Sequence, residues 1–305
     1  MLNELTYNVG VFSFFKNHSK ARQLVALLKN KDGTLKKFKD FEKEATKVIG
    51  TYNKRYLRVE HNQAVTTARA ARKWQDIQRT KHLYPNLTYM VIQDGRARPL
   101  HQAWHGITLP VEHPFWRTHY PPNDWECRCY VKRSSKAIDS KGYDVENMPE
   151  LPKQFGINAG IDGKIFTKEH PYFDTKEYKK VAKFAQTALI TYGRKQVKEF
   201  VKQSKLIGQE LTSSIGTVKL TSKALSTIVN TYHNNAYVRT NLLYDIKGVL
   251  KDAEFIKTAI DTKSNPMVKQ YHYLKIEIGG EKYYLNIREY VNGDQVLFAI
   301  SDKIK

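Results

Sequence analysis

YHYLKIEIGGEKYYLNIREYVNGDQVLFAIS, residues 271–301, decides the fold of the last third of the chain. Three runs rich in Tyr, Ile, Leu and Val are separated by Gly279-Gly280 and Asn292-Gly293, pairs that favour tight hairpin turns. The pattern predicts an antiparallel meander with strands over 271–278, 282–290 and 295–301. Side chains alternate between the faces of a strand, so a one-residue slip would turn every residue to the wrong side. A two-residue turn at Gly279-Gly280 sets Lys275 opposite Tyr284, Tyr273 opposite Asn286, Tyr271 opposite Arg288 and Leu274 opposite Leu285. A similar turn at Asn292-Gly293 sets Ser301 beside Tyr284 and Ala299 beside Asn286. One face should then be apolar, with Ile276, Tyr283, Leu285, Ile287, Val296, Phe298 and Ile300. The other should carry Tyr271, Tyr273, Lys275, Tyr284, Asn286, Arg288 and Ser301, while alternation turns His272 toward the apolar side.

Working backward, 219–233 and 240–253 have helical spacing, so 211–305 is expected to be a small α+β domain. Residues 145–175 are rich in Pro, Gly and Asn, and 175–207 regain helical spacing at Val181, Phe184, Ala185, Ala188 and Leu189. Residues 136–210 therefore read as a connector that passes through helices. Between residues 24 and 81 breakers are few, and Phe38, Phe41, Ala45, Val48, Tyr52, Tyr56 and Val59 recur at helical spacing. Two or three long helices are expected there, the last over 56–79 with small residues that admit a close neighbour. A strand over 87–92 follows. Residues 1–135 make the first domain, mainly helical with an irregular Cys/His/Trp-rich region, and the whole chain is α+β.

The chain has 305 residues and a formal net charge of +21. Residues 1–135 hold 24 Lys/Arg against 11 Asp/Glu. Such an excess attracts polyanions through counterion release, which makes nucleic acid, DNA or RNA, an expected partner beside the alternative of a basic protein that is merely well solvated. No apolar run approaches the roughly 20 residues of a spanning helix, and the first residues lack the pattern of a secretory leader, so no membrane partner is expected and the cytoplasm is the expected starting compartment. Cys127 and Cys129 are the two cysteines. A bridge between them would be strained and would close almost no loop, which excludes a disulfide scaffold.

The segment DGRARPLHQAWHGITLPVEHPFWRTHYPPNDWECRC, residues 94–129, carries Asp94, Arg98, His101, Gly106, Pro110, Trp116, Pro121, Pro122, Cys127, Arg128 and Cys129 in order. This ordered set resembles the signature of the phage Mu F-like (head morphogenesis) minor head proteins. The resemblance runs from the 56–79 helix to about residue 173. It implies a bacteriophage or prophage protein attached near the portal, with portal or capsid proteins as partners and a part in head assembly or DNA delivery. The setting it implies is the virion head, and the host cytoplasm during assembly. Thiolate and imidazole are the donors that zinc prefers, and Cys127 and Cys129 have His101, His105, His113 and His119 nearby. A structural zinc site led by His101, Cys127 and Cys129 stands beside a metal-free knot of packed side chains. Trp104, Trp116, Trp125 and Phe115 read either as a platform for stacked bases or as core.

An aromatic and basic sheet face suits single-stranded RNA, with rings to stack bases and cations to hold phosphate; a solvated face with ordinary cross-strand Tyr pairs is the alternative. The order helix, helix, three strands looks like the phage-associated nuclease modules of the barnase, EndoU, colicin and RelE class, which occur on Mu F-like proteins in polymorphic toxins. That resemblance implies metal-independent RNA cleavage and an immunity protein. His272 or His233 would move the proton, Arg288 and Lys275 would stabilise charge, and Tyr273, Asn286 and Ser301 would position the nucleotide. A purely structural head protein, whose last domain only binds a partner such as DNA, portal or another protein, is the alternative.

Overall fold

The computed structural model describes residues 2–230, 236–260, 265–278 and 281–304. The chain divides into two compact units, Met1–Lys183 and Phe184–Lys305. Residues 136–183, read as a connector, thus belong to the first unit.

The first unit opens with α1 (Leu2–Ala26) and α2 (Phe38–Gly50); a π-helical turn, Thr51–Tyr56, then leads into α3 (Leu57–Thr80). Helix α1, which the breaker pattern did not single out, buries Leu5, Phe12 and Phe15 along one stripe. These meet Ala71 of α3 and Ile165, Phe166 and Phe173 of the proline-rich stretch, and Phe12 stacks on Phe166 with ring centroids 3.7 Å apart. The stretch is anchored by Asn8, whose Oδ1 accepts from the backbone N–H of both Ile165 and Phe166. A long loop with little regular structure thereby satisfies its backbone from a neighbouring helix.

After α3 come β1 (Asn86–Met90), α4 (Pro99–Ala103), β2 (Thr108–Pro110), α5 (Phe115–Thr118), β3 (Tyr130–Ser134) and α6 (Ala159–Asp162). β1 is the middle of a three-stranded antiparallel sheet, order β2-β1-β3. Its inward residues Leu87 and Tyr89 join Trp74, Trp104, Phe115, Trp116 and Val131 in one core. Gly160 at the start of α6 lies against Trp74: a Cβ there would stand 2.6 Å from the indole Cγ and Cδ1. The small residue on α6 is what lets α3 approach.

The second unit receives Val197 and Val201 from α7 (Tyr178–Gln203), then contains β4 (Glu210–Ser213), β5 (Gly216–Lys219), α8 (Ser222–Asn230), α9 (Ala236–Asn241) and α10 (Ile246–Asp252), followed by β6 (Glu254–Ile260), β7 (Val268–Ile278), β8 (Glu281–Tyr290) and β9 (Gln295–Ser301). The meander is the middle of a six-stranded sheet, order β4-β5-β9-β8-β7-β6, in which β5 and β9 run parallel. The two helical stretches of the sequence reading appear as α8 and as α9 with α10. The three further strands are short or, in β6, largely exposed, so they lack the alternation that marks a half-buried strand.

The register is the expected one along β7 and β8: Lys275 pairs with Tyr284, Tyr273 with Asn286, Tyr271 with Arg288 and Leu274 with Leu285. Tyr284 pairs with Ser301 and Asn286 with Ala299. Gly279 and Gly280 themselves lie outside the described residues. One assignment is corrected. A bulge after Asn286 pairs Ile287 with Leu297, so Leu297 enters the core and Phe298 does not. Phe298 lies instead against Arg288, whose guanidinium carbon is 3.2 Å from its ring centroid.

Candidate functional site

Residues scattered over 94–129 converge in the first unit. Asp94 is the hub. Its carboxylate accepts from Arg128 Nη1 and Nη2 at 2.5 and 2.8 Å and from Arg96 Nε and Nη2 at 3.1 and 2.8 Å. The guanidinium of Arg128, and then that of Arg96, hold the Asp94 carboxyl well below the usual carboxylate range. Arg98 is fixed separately, by Asp124 at 2.7 Å and by the Trp125 carbonyl at 3.0 Å. The loop that presents these groups turns through Glu126, which sits at φ 56, in the left-handed region.

Behind the arginines lie His101, Cys127 and Cys129. His101 is 3% exposed, on α4, stacked on Trp104. Its Nδ1 is 3.7 Å from Cys127 Sγ and 3.6 Å from Cys129 Sγ, and the three donor atoms all lie within 4.8 Å of one another. A tetrahedral zinc with ordinary Zn–S and Zn–N bonds separates sulfur from nitrogen by about 3.5 Å, so the two nitrogen–sulfur distances fit three of the four positions such an ion requires. They also make one coupled proton site without metal. The hydrogen bond between the sulfurs favours a thiolate at Cys127 and a thiol at Cys129, with His101 adding to the first effect and burial to the second.

The other three histidines of the segment are used elsewhere. His105 Nδ1 accepts from the Val91 N–H at 3.1 Å; His113 accepts from the Phe115 N–H at 3.2 Å and meets Glu146. His119 stacks on Phe115 at 4.7 Å, and burial pushes its pKa down, so the ring stays neutral in the core. Trp104, Trp116 and Phe115 are core residues; Trp125 is half-buried at the edge of the site. Arg96 and Asp124 are the members of this constellation that sequence reasoning passed over, since nothing in their spacing marks them as the partners of Asp94 and Arg98.

In the second unit the structure gathers Tyr271, Tyr273, Lys275, Tyr284, Asn286, Arg288 and Ser301 on one side of β7, β8 and β9. Several of them already have partners. Tyr273 is 5% exposed, with its pKa raised by burial against a hydrogen bond from Asn286 that lowers it. Arg288 lies over Tyr271 at 5.5 Å, Lys275 pairs with Glu254 at 2.8 Å, and Ser301 donates to the Lys303 carbonyl at 2.7 Å. Asn286 Oδ1 and Arg288 Nε are buried and find no hydrogen-bond partner among the described residues.

His272 stands on the opposite, helix-facing side, paired with Ile287. Its Nε2 is 2.8 Å from Glu289 Oε2 and its Nδ1 is 2.9 Å from the hydroxyl of Thr258 on β6. Glu289 also accepts from Lys269 at 2.7 Å and Gln270 at 2.6 Å, and these contacts, Lys269 first, hold its carboxyl down at about 2. Glu289 was readable in principle, since alternation puts it on the face of His272; Thr258 was not, because its strand was not predicted. His233 lies outside the described residues.

Residues 33–132 match the family described as Phage Mu protein F like protein, and residues 190–297 match the one described as Large polyvalent protein-associated domain 3. Among curated proteins, one named for capsid assembly, protein F of Escherichia phage Mu, is 34% identical over 129 residues, which is 41% of this chain and 29% of that protein. The Mu-like prophage FluMu F protein of Haemophilus influenzae is 34% identical over 99 residues, 32% of this chain and 24% of that one. The chain therefore spans less than a third of the length of either relative. No solved structure matches. The first unit thus contains a segment similar to the Mu F-like family, and the knot of Asp94, His101, Cys127, Arg128 and Cys129 lies inside residues 33–132. Among the described residues no helix is long and apolar enough to cross a membrane.

Proposed function

We propose that this protein acts in phage head assembly, bound to portal or capsid proteins in the host cytoplasm and carried into the virion. The observation behind this is the convergence of the ordered motif on one knot inside residues 33–132, which match the Mu F-like family, in a chain 34% identical over 129 residues to a protein named for capsid assembly. The test is deletion of the gene from an inducible prophage and complementation with wild type or Asp94→Ala. Loss of filled heads on deletion, restored by wild type and poorly by the variant, is the expected result. Normal heads without the protein would overturn the reading.

Within the knot, His101, Cys127 and Cys129 are proposed to hold a structural zinc ion. The ion would lock α4 to the Cys127–Cys129 turn and keep both sulfurs as thiolates. Metal analysis of protein purified without chelator should give zinc at one equivalent, lost in Cys129→Ser.

A second reading concerns residues 184–305, favoured by the orphaned Asn286 acceptor and Arg288 donor beside three tyrosines. That face is proposed to receive single-stranded RNA and to cleave it by attack of a ribose 2′-hydroxyl on the adjacent phosphorus, which expels the 5′-oxygen of the next nucleotide. Arg288 and Lys275 would stabilise the phosphorane charge, Tyr273, Asn286 and Ser301 would position the nucleotide, and an immunity protein would cover the face. Alanine at His233 tests the proton step; His272, on the other side of the sheet with both ring nitrogens engaged, serves as the control. Expression in a bacterium should degrade RNA and arrest growth; intact RNA at high expression would remove cleavage and leave a binding module.

A further inference from the structure

A cavity of about 790 Å³ opens beside the knot, lined in part by its Cys127 and Arg128. Its walls come from α3, which supplies His61 and Arg69, and from the motif, which supplies Arg96, Arg98, Trp125 and Arg128. Asp94 and Asp124 grip Arg96, Arg128 and Arg98 through part of each guanidinium. A guanidinium has five N–H donors, so each keeps others for a ligand while its position is already fixed. Arg69 is exposed, and no carboxylate pairs with it among the described residues. Glu126 is the one acidic residue of the lining.

The charge continues beyond the cavity. Arg58, His61, Arg69 and Arg72 follow one another at spacings of three, eight and three residues, which keeps them on one face of α3, and all four are exposed. The row covers about 21 Å of helix, which matches the axial length of about six base pairs of duplex. A small carboxylate would occupy the pocket and leave the row unused; a nucleic acid backbone engages both.

We infer that this pocket and the α3 row bind the phosphodiester backbone of DNA, without reading its sequence. The choice of DNA over another polyanion rests on the head-assembly reading; phosphate binding by the pocket does not. Arginines held in advance by carboxylates grip phosphate without first having to be ordered, and the excess of positive charge over residues 1–135 draws the polymer in.

The test is binding of full-length protein to a labelled DNA duplex across a series of salt concentrations. Arg69→Glu should weaken binding by about tenfold or more and make the salt dependence shallower by about one to two contacts. Lys39→Glu, an exposed reversal on α2 with the same change in net charge, should weaken it far less. Equal losses in the two variants would show diffuse attraction and overturn the inference, as would wild-type protein that does not bind at physiological salt. Excess RNA or an acidic peptide displacing DNA as efficiently as DNA itself would overturn the choice of DNA. Wild-type protein that enters heads and does not bind DNA sinks this inference alone. Protein that binds DNA through Arg69 and plays no part in heads sinks the other reading and leaves this one.

Discussion

The two candidate sites are built by opposite means. In the first unit Asp94, Arg98, His101 and the two cysteines come together along irregular chain, and side chains do the holding: carboxylate to guanidinium, imidazole to sulfur, indole to imidazole. In the second unit the ladder of β7, β8 and β9 sets the positions, and the side chains inherit them. A site held by its own side chains ties chemistry to stability, whereas a site laid on a ladder separates them. Deleting a site residue should therefore unfold the first region and merely disarm the second.

The strongest way to break this contrast is Trp104→Ala. The indole is 1% exposed and supports His101, so the change should cost about 3–5 kcal/mol in urea unfolding of the first unit. A loss under about 1 kcal/mol would mean that the knot is not its own scaffold. Gly160→Ala comes next, at about 1–3 kcal/mol, because its methyl group would press on Trp74; an unchanged melting curve would show that α6 slides away freely.

A third test sharpens the contrast through pH. Glu289 has a folded pKa of about 2, below its ordinary 4.5, so its stabilising contribution is complete above about 4.5 and is lost as pH falls toward 2. Glu289→Gln should flatten that part of the stability profile of the second unit, measured by denaturant unfolding at stepped pH. An acid limb identical to wild type would show that the Lys269, Gln270 and His272 contacts do not hold the carboxylate in solution. The smallest effect on stability is expected from Arg288→Ala and Asn286→Ala, each within about 1 kcal/mol. Any RNA-directed activity should vanish in both; a large loss of stability would put this face in the same class as the knot.

What could be read from the sequence divides along the same line. Ladder positions followed from alternation plus a two-residue turn, so Tyr273 opposite Asn286 and Tyr271 opposite Arg288 were within reach of elementary geometry. Phe298 was not, since an extra residue in β9 is settled by packing against Arg288 that no period announces. In the first unit the residue types of a metal cluster were legible, and His101 led the candidates. That His105, His113 and His119 serve a strand end, a helix start and the core depends on tertiary contacts. The stretch over 136–183 looked like a connector because its prolines and glycines exclude regular ladders; its docking on α1 is carried by Phe166, Phe173 and the Asn8 amide, partners more than 150 residues away.

That docking has a practical corollary for anyone cloning pieces of this gene. A fragment trimmed to residues 33–132, the stretch matched to the Mu F-like family, would discard Phe12, Phe15, Phe166 and Phe173 and leave the Ala71 side of α3 wet. Such a product should aggregate, and its behaviour would say nothing about the activity of the intact polypeptide. Soluble expression calls for a cut near residue 183, with α1 retained.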